Sequence, residues 1–176
     1  MKAHARQDSD EVDRVVAAWR RERSGLDVTP LEVLSRVTRL GKHLDLARRA
    51  AFADSGLESW EFDVLAALRR SGEPYQLTPG ELTRQTMVTS GTMTNRVDRL
   101  VARALVERAA APTDRRTVPV GLTTAGHDLV DDAIERLLER ERELLSGLSV
   151  AEQAQLADLL RSLLGSFETS RAEPPR

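Results

Sequence analysis

The chain has 176 residues, 26 basic and 28 acidic, for a formal net charge of −2 and a pI near 6.0, so it is no wholly basic nucleic-acid binder, and its length suits one domain with or without helical extensions. It contains no cysteine, which excludes disulfides and thiolate metal sites. No apolar run approaches the roughly 20 residues of a membrane span, and residues 1–11 lack the apolar core of a secretory signal, so a cytoplasmic protein is expected.

Taken in chain order, the pattern is nearly all helical. Asp8 to Arg23 reads as a first helix with Val12, Val15, Val16 and Trp19 on one face, broken by Gly25 and Asp27. Thr29, Pro30 and Glu32 have the spacing of a capping box opening a long helix to about Phe52, striped by Leu31, Leu34, Val37, Leu40, Leu44 and Ala47. A third helix spans about Ser59 to Arg70, with Phe62, Leu65, Ala66 and Leu68 inward, and Gly72 and Pro74 end it.

The most informative stretch is Leu77 to Leu122. Thr78, Pro79 and Glu81 form a second capping box. Another helix starts near Thr89 or Ser90, with Met93, Val97, Leu100, Val101 and Ala104 as its apolar stripe. Its other face carries Thr92, Asn95, Arg96, Arg99 and Arg103, with no acid among them. Two β-tending runs follow, Leu105 to Arg108 and Thr117 to Leu122, around a tip bearing Asp114, Arg115 and Arg116. From Arg84 to Arg116 seven arginines stand against three acids, a local balance of +4. That local charge outweighs the total, because salt screens charges beyond about 10 Å. Helix, turn, helix and basic hairpin is an architecture that reads duplex DNA.

After the hairpin a helix runs from Thr124 to Ser146, with Gly147 and Leu148 as a Schellman-type stop. Ser149 and Glu152 frame a third capping box, opening a last helix striped by Leu156, Leu159, Leu160, Leu163, Leu164 and Phe167. These leucine stripes exceed what one small lobe needs, so the terminal helices are expected to form a bundle shared by two subunits. The expected fold is mainly α with a small β-wing. Residues 1–55 form the N-terminal helices, 56–122 a winged helix-turn-helix lobe, 123–170 C-terminal dimerisation helices, and 171–176 a disordered tail.

Base reading falls to Asn95, which can pair bidentately with adenine, and Arg96, which can do so with guanine. Thr89, Ser90 and Thr92 offer hydroxyls or first-turn amides to phosphate. Arg115 and Arg116 can enter a minor groove from the hairpin tip. Arg99 and Arg103 can equally be a solvated helix surface. The histidines (His4, His43 and His127) form no metal-ligand cluster, and there is no phosphate-cradling glycine loop, so neither enzyme activity nor a cofactor or metal is expected. The alternative from another class is a helical protein–protein dimer or antirepressor without DNA binding.

Residues 89–100 (TSGTMTNRVDRL), 105–108 (LVER), 113–116 (TDRR) and 122–126 (LTTAG) together resemble the MarR family of winged helix-turn-helix regulators, over roughly residues 10–168. The additional first helix and residues 60–65 (WEFDVL) resemble its urate-responsive, PecS-like branch. The resemblance implies a homodimeric repressor on a palindromic promoter operator, released by a small aromatic anion such as urate, a related purine or a phenolic anion. It implies that Asp114 orients a wing arginine, and that Trp19, Asp63, Arg70 and Arg108 bind the effector. Asp63 and Arg70 are seven residues apart on one helix face, about 10 Å along the axis, so they could line a crevice without pairing. Pro119 in the second wing strand departs from the pattern, since proline donates no ladder bond.

Overall fold

The computed structural model describes residues 9–108 and 118–172, with side chains to 167. Helix α1 (Glu11–Glu22) begins three residues later than its pattern predicts, because Asp10 caps it: its carboxylate accepts from the Asp13 amide while Asp13 accepts from that of Asp10. Val12 and Val16 are buried with Val28, but Val15 and Trp19 of the expected face are exposed. One helix of support covers a narrower stripe than a full core does. That support is α2 (Thr29–Ala53), to which α1 is bolted by Arg36, whose guanidinium reaches Asp10 and Asp13.

The capping box expected at Thr29 does not form. Thr29 is already helical; the N-cap is Val28, and the Asp27 carboxylate accepts from the Thr29 amide. Val28 is drawn inward by the small cluster with Val12 and Val16, which sets where the helix begins.

Helix α3 (Ser59–Arg70) is the central element, with Val64, Leu65, Ala67 and Leu68 fully buried. A two-residue strand, β1 (Gln76–Leu77), follows, too short to leave an alternating pattern in the sequence. Helix α4 (Pro79–Thr86) opens with the expected Thr78 and Glu81 box. Helix α5 (Ser90–Ala102) buries Met93, Val97 and Leu100. Val101 is half-exposed, and Ala104 falls outside the helix in the left-handed region (φ 55°), where the chain turns into the sheet.

The wing strands are β2 (Val106–Arg108) and β3 (Val120–Leu122), shorter than the runs that suggested them. Val118 and Pro119 precede the ladder, as the missing proline donor requires. The sheet is antiparallel in the order β1-β3-β2, with Val106 opposite Leu122 and Leu77 opposite Val120.

Helix α6 (Thr124–Leu145) is capped by the Thr123 hydroxyl, which accepts from the Gly126 amide and donates to the Ala104 carbonyl. The Schellman stop at Gly147 is absent. Gly147 does not take a positive φ, and the helix closes with Ser146 donating to Glu143 and Leu148 to Leu145, three residues back in each case. Helix α7 (Val150–Ala172) opens with the expected Ser149 and Glu152 box and runs two residues into the segment expected to be a disordered tail.

One core unites the lobe, from Phe52 and Leu57 through α3, Leu82, α5 and the sheet to Val130, Ala133 and Leu137 of α6. Helix α6 is therefore a wall of the lobe as well as a link to the last helix. The stripe on α2 has no such cover: Leu34, Val37 and Leu40 stay exposed, as do Leu159, Leu164 and Phe167 of α7. Between α2 and α7 lies an apolar groove of about 800 Å³, lined by Val33, Val37, Leu40, Leu156, Leu160 and Leu163 among others. Among the described residues no helix is long and apolar enough to cross a membrane, and no three His, Cys, Asp or Glu are grouped to hold a metal ion.

Candidate nucleic-acid interface

The polar face of α5 is set by what its other face buries. Met93, Val97 and Leu100 lock the helix into the lobe's core beside α4 and β2, so Thr92, Asn95 and Arg99 are left exposed, with Arg96 half-buried beside them. Thr89 is the N-cap: its hydroxyl accepts from the Thr92 amide at 3.3 Å and shares a hydrogen bond with the Thr92 hydroxyl at 2.9 Å. Two of the residues expected to meet phosphate are thus already engaged with each other. The first-turn amides of Ser90 and Gly91 have no acceptor among the described residues, the usual condition at a helix start that receives an anion. A Cβ on Gly91 would meet nothing within 4 Å, so packing does not require glycine there. Asp114, Arg115 and Arg116 lie outside the described residues.

Behind the face stands Trp60, at the start of α3. The Arg96 guanidinium lies 5.4 Å from a Trp60 ring centroid and that of Arg99 lies 4.6 Å from it. The Glu58 carboxylate accepts from the Trp60 indole N–H at 2.7 Å and from Arg99 at 2.8 Å. These hydrogen bonds, that of Trp60 first, hold the Glu58 carboxyl below its ordinary range. Glu58, Trp60, Thr92, Asn95, Arg96 and Arg99 line a shallow cavity of about 380 Å³. Arg99 is therefore no free solvated cation. Nor is Arg103, which pairs at 2.5 Å with Glu61, the one buried charged residue among those described, 2% exposed. An ion buried this far is tolerable only when paired. Glu61 also accepts from the Glu58 amide at 3.0 Å, so one carboxylate ties the start of α3 to the end of α5. Glu58 and Trp60 escaped sequence reasoning as interface residues because they precede Arg96 by more than 35 positions, beyond any helical or strand period.

The four residues carried over as effector ligands occupy separate surroundings. Trp19 is 46% exposed near the end of α1. Asp63 pairs at 2.6 Å with Arg48 of α2. Arg70 is exposed at the end of α3, and Arg108 on β2 pairs at 2.5 Å with Asp98 of α5. No hydrogen bond, ion pair or ring contact joins any two of the four, and none lines a cavity described above. Arg48 was not foreseen. Its guanidinium lies 5.9 and 5.8 Å from the ring centroids of Phe52 and Phe62, which stack on each other, and its buried Nε has no hydrogen-bond partner.

A family model described as MarR family matches residues 55–117. Among individual proteins, the chain is 37% identical to the HTH-type transcriptional regulator PecS of Dickeya dadantii, over 90% of this chain and 93% of that one. It is 34% identical to the HTH-type transcriptional repressor NicR of Pseudomonas putida, over 82% of this chain and 92% of that one. A crystal structure of a mutant MarR from Escherichia coli complexed with operator DNA matches with a TM-score of 0.68 at 27% identity, covering 89% of this chain and 99% of that one. A structure of Bordetella bronchiseptica BpsR, concerned with regulation of its DNA binding by 6-hydroxynicotinic acid, matches with a TM-score of 0.65 at 28% identity, covering 74% and 91%.

Proposed function

The chain belongs to the MarR family of winged-helix transcriptional regulators, and on that premise we propose that it is a homodimeric repressor that binds a palindromic promoter operator and is released by a small aromatic anion. The observation that carries the DNA reading is the exposed face of α5, where Asn95, Arg96 and the Ser90 and Gly91 amides stand together on a helix whose other side is buried. The MarR relative seen with operator DNA supports it. The apolar groove between α2 and α7 supports the dimer, since exposed leucine stripes of this extent are covered in stable proteins. On a two-fold dimer, reading successive major grooves requires the two copies of α5 to lie about 34–36 Å apart and calls for matching half-sites.

DNA reading is tested by salt. Binding to duplex from the promoter region upstream of the protein's own gene should fall steeply with salt on a log–log plot. Asn95→Ala and Arg96→Ala should each weaken that binding by about 1–3 kcal/mol and relax sequence preference. Equal losses on promoter and random duplex would show that Asn95 reads no base. Absence of measurable DNA binding would favour a protein–protein module instead.

The effector is proposed as urate or a related purine or phenolic anion. The likeness to BpsR, whose DNA binding is regulated by 6-hydroxynicotinic acid, supports a small aromatic anion. Two cations carried over for it differ in availability: Arg70 is exposed, whereas an anion at Arg108 would share or compete for a guanidinium that already donates to Asp98. Asp63 would likewise exchange its Arg48 partner for a new environment. Effector should weaken operator binding, and operator should weaken effector binding by the same factor. Titration of urate, xanthine and a phenolic acid against the operator complex, with Trp19 emission followed in a Trp60→Phe background, checks this. No release up to millimolar concentration, with Trp19 emission unmoved, would discard the carried-over site.

A further inference from the structure

Trp60 meets both arginines of the α5 face, but it meets them with different consequences. Arg96 and Arg99 are three residues apart, so they share a helix face and reach one indole ring. Stacking engages the flat face of a guanidinium and leaves its edge of N–H donors free. Arg96 makes no ion pair among the described residues, so its N–H donors stay available while the ring restrains where its charge sits. Arg99 has one of its edge donors on Glu58. The Glu58 carboxylate uses one oxygen for Arg99 and the other for the Trp60 indole N–H, which fixes all three groups. Both partners of the Arg99 pair are more than half exposed, so a phosphate could compete for this arginine.

We propose that Glu58 and Trp60 form a specificity-determining pair behind the DNA-reading helix, in which Trp60 orients Arg96 toward base edges and Glu58 withholds Arg99 from the phosphate backbone. The inference rests on the DNA reading of α5. Contacts to phosphate carry no sequence information and supply generic binding, whereas base contacts discriminate and fix the register. Generic complexes can shift register to bring a released arginine onto phosphate, whereas the cognate complex is held by its base contacts, so a carboxylate that occupies Arg99 lowers generic affinity more than cognate affinity and raises their ratio. Neither residue need touch a base to act; both are positioning residues.

The test uses the full-length protein, a duplex enriched by the wild type from a random-sequence library, and poly(dI-dC) as the generic probe, each titrated over a range of salt. Glu58→Gln keeps an acceptor for the indole N–H and leaves the backbone amide that Glu61 caps, but removes the charge. It should bind poly(dI-dC) about three- to tenfold more tightly, with a log–log salt slope steeper by about 0.9, one phosphate's worth. Affinity for the enriched duplex should rise less, so the ratio falls. Trp60→Leu should lose about tenfold on the enriched duplex with little change on poly(dI-dC), and Trp60→Phe should restore most of that loss. If Trp60→Leu melts far below the wild type, Glu58→Gln still decides. Unchanged or weaker binding of Glu58→Gln to poly(dI-dC), with an unchanged slope, overturns the inference alone. A wild type that enriches no duplex overturns the DNA reading and this inference with it.

Discussion

Gly126→Ala is expected to destabilise the protein by about 3 kcal/mol, at the upper end for an overpacked site. A Cβ at this position would lie 1.9 Å from the Leu105 carbonyl oxygen and 2.9 Å from its carbon, both backbone atoms that no side-chain rotation can move. The same point is clamped by hydrogen bonds. The Gly126 amide donates to the Thr123 hydroxyl, that hydroxyl donates to the Ala104 carbonyl, and the Thr123 amide donates to the Leu105 carbonyl. The start of α6 is thereby fixed to the turn that leaves α5, and moving one moves the other. Gly147→Ala is the control, since a Cβ there meets nothing within 4 Å. Urea denaturation of the two variants checks the difference. A Gly126→Ala protein as stable as the wild type would show that the close approach relaxes at no cost.

Removal of residues 149–176 is expected to abolish the proposed dimer, leaving monomeric or unfolded protein. Helix α7 contributes Leu156, Leu159, Leu160 and Leu163 to the groove, and Leu159, Leu164 and Phe167 remain largely exposed in the single chain. Covering such a side chain stabilises by about 1.5–3 kcal/mol, so several together suffice for a stable dimer. A milder variant separates assembly from folding. Leu159 is 62% exposed and belongs to neither buried cluster, so Leu159→Glu should shift the dimer toward monomer without melting the lobe. Sedimentation measures assembly, and far-UV circular dichroism measures folding. A truncated protein that remains folded and dimeric would remove α7 from the interface.

Much of the architecture was legible because its signals are local. Helical spacing of Met93, Val97 and Leu100 and of Phe62, Leu65 and Leu68 identified buried faces that the structure also buries. The capping residues Thr78 with Glu81, and Ser149 with Glu152, marked two helix starts, because a cap is a bond between residues three apart. The same logic failed at Thr29, where Val28 is pulled into a small core by residues twelve and sixteen positions earlier. It failed again at Gly147, where three-residue hydrogen bonds close the helix without a left-handed residue.

By itself, the sequence determined the order of the helices, the cation-rich outer face of α5 and the surplus of leucine on the terminal helices. Each is a property of residues within a few positions of one another, and helix periodicity alone exposes it. Only the tertiary structure decided that β1 joins the sheet through β3, that Asp63 answers to Arg48 and Arg108 to Asp98, and that Trp60 and Glu58 stand behind Arg96 and Arg99. It likewise decided that position 126 admits no side chain. These contacts join residues 10 to 45 positions apart, and no short-range pattern encodes which distant side chain or carbonyl the packed core brings within reach.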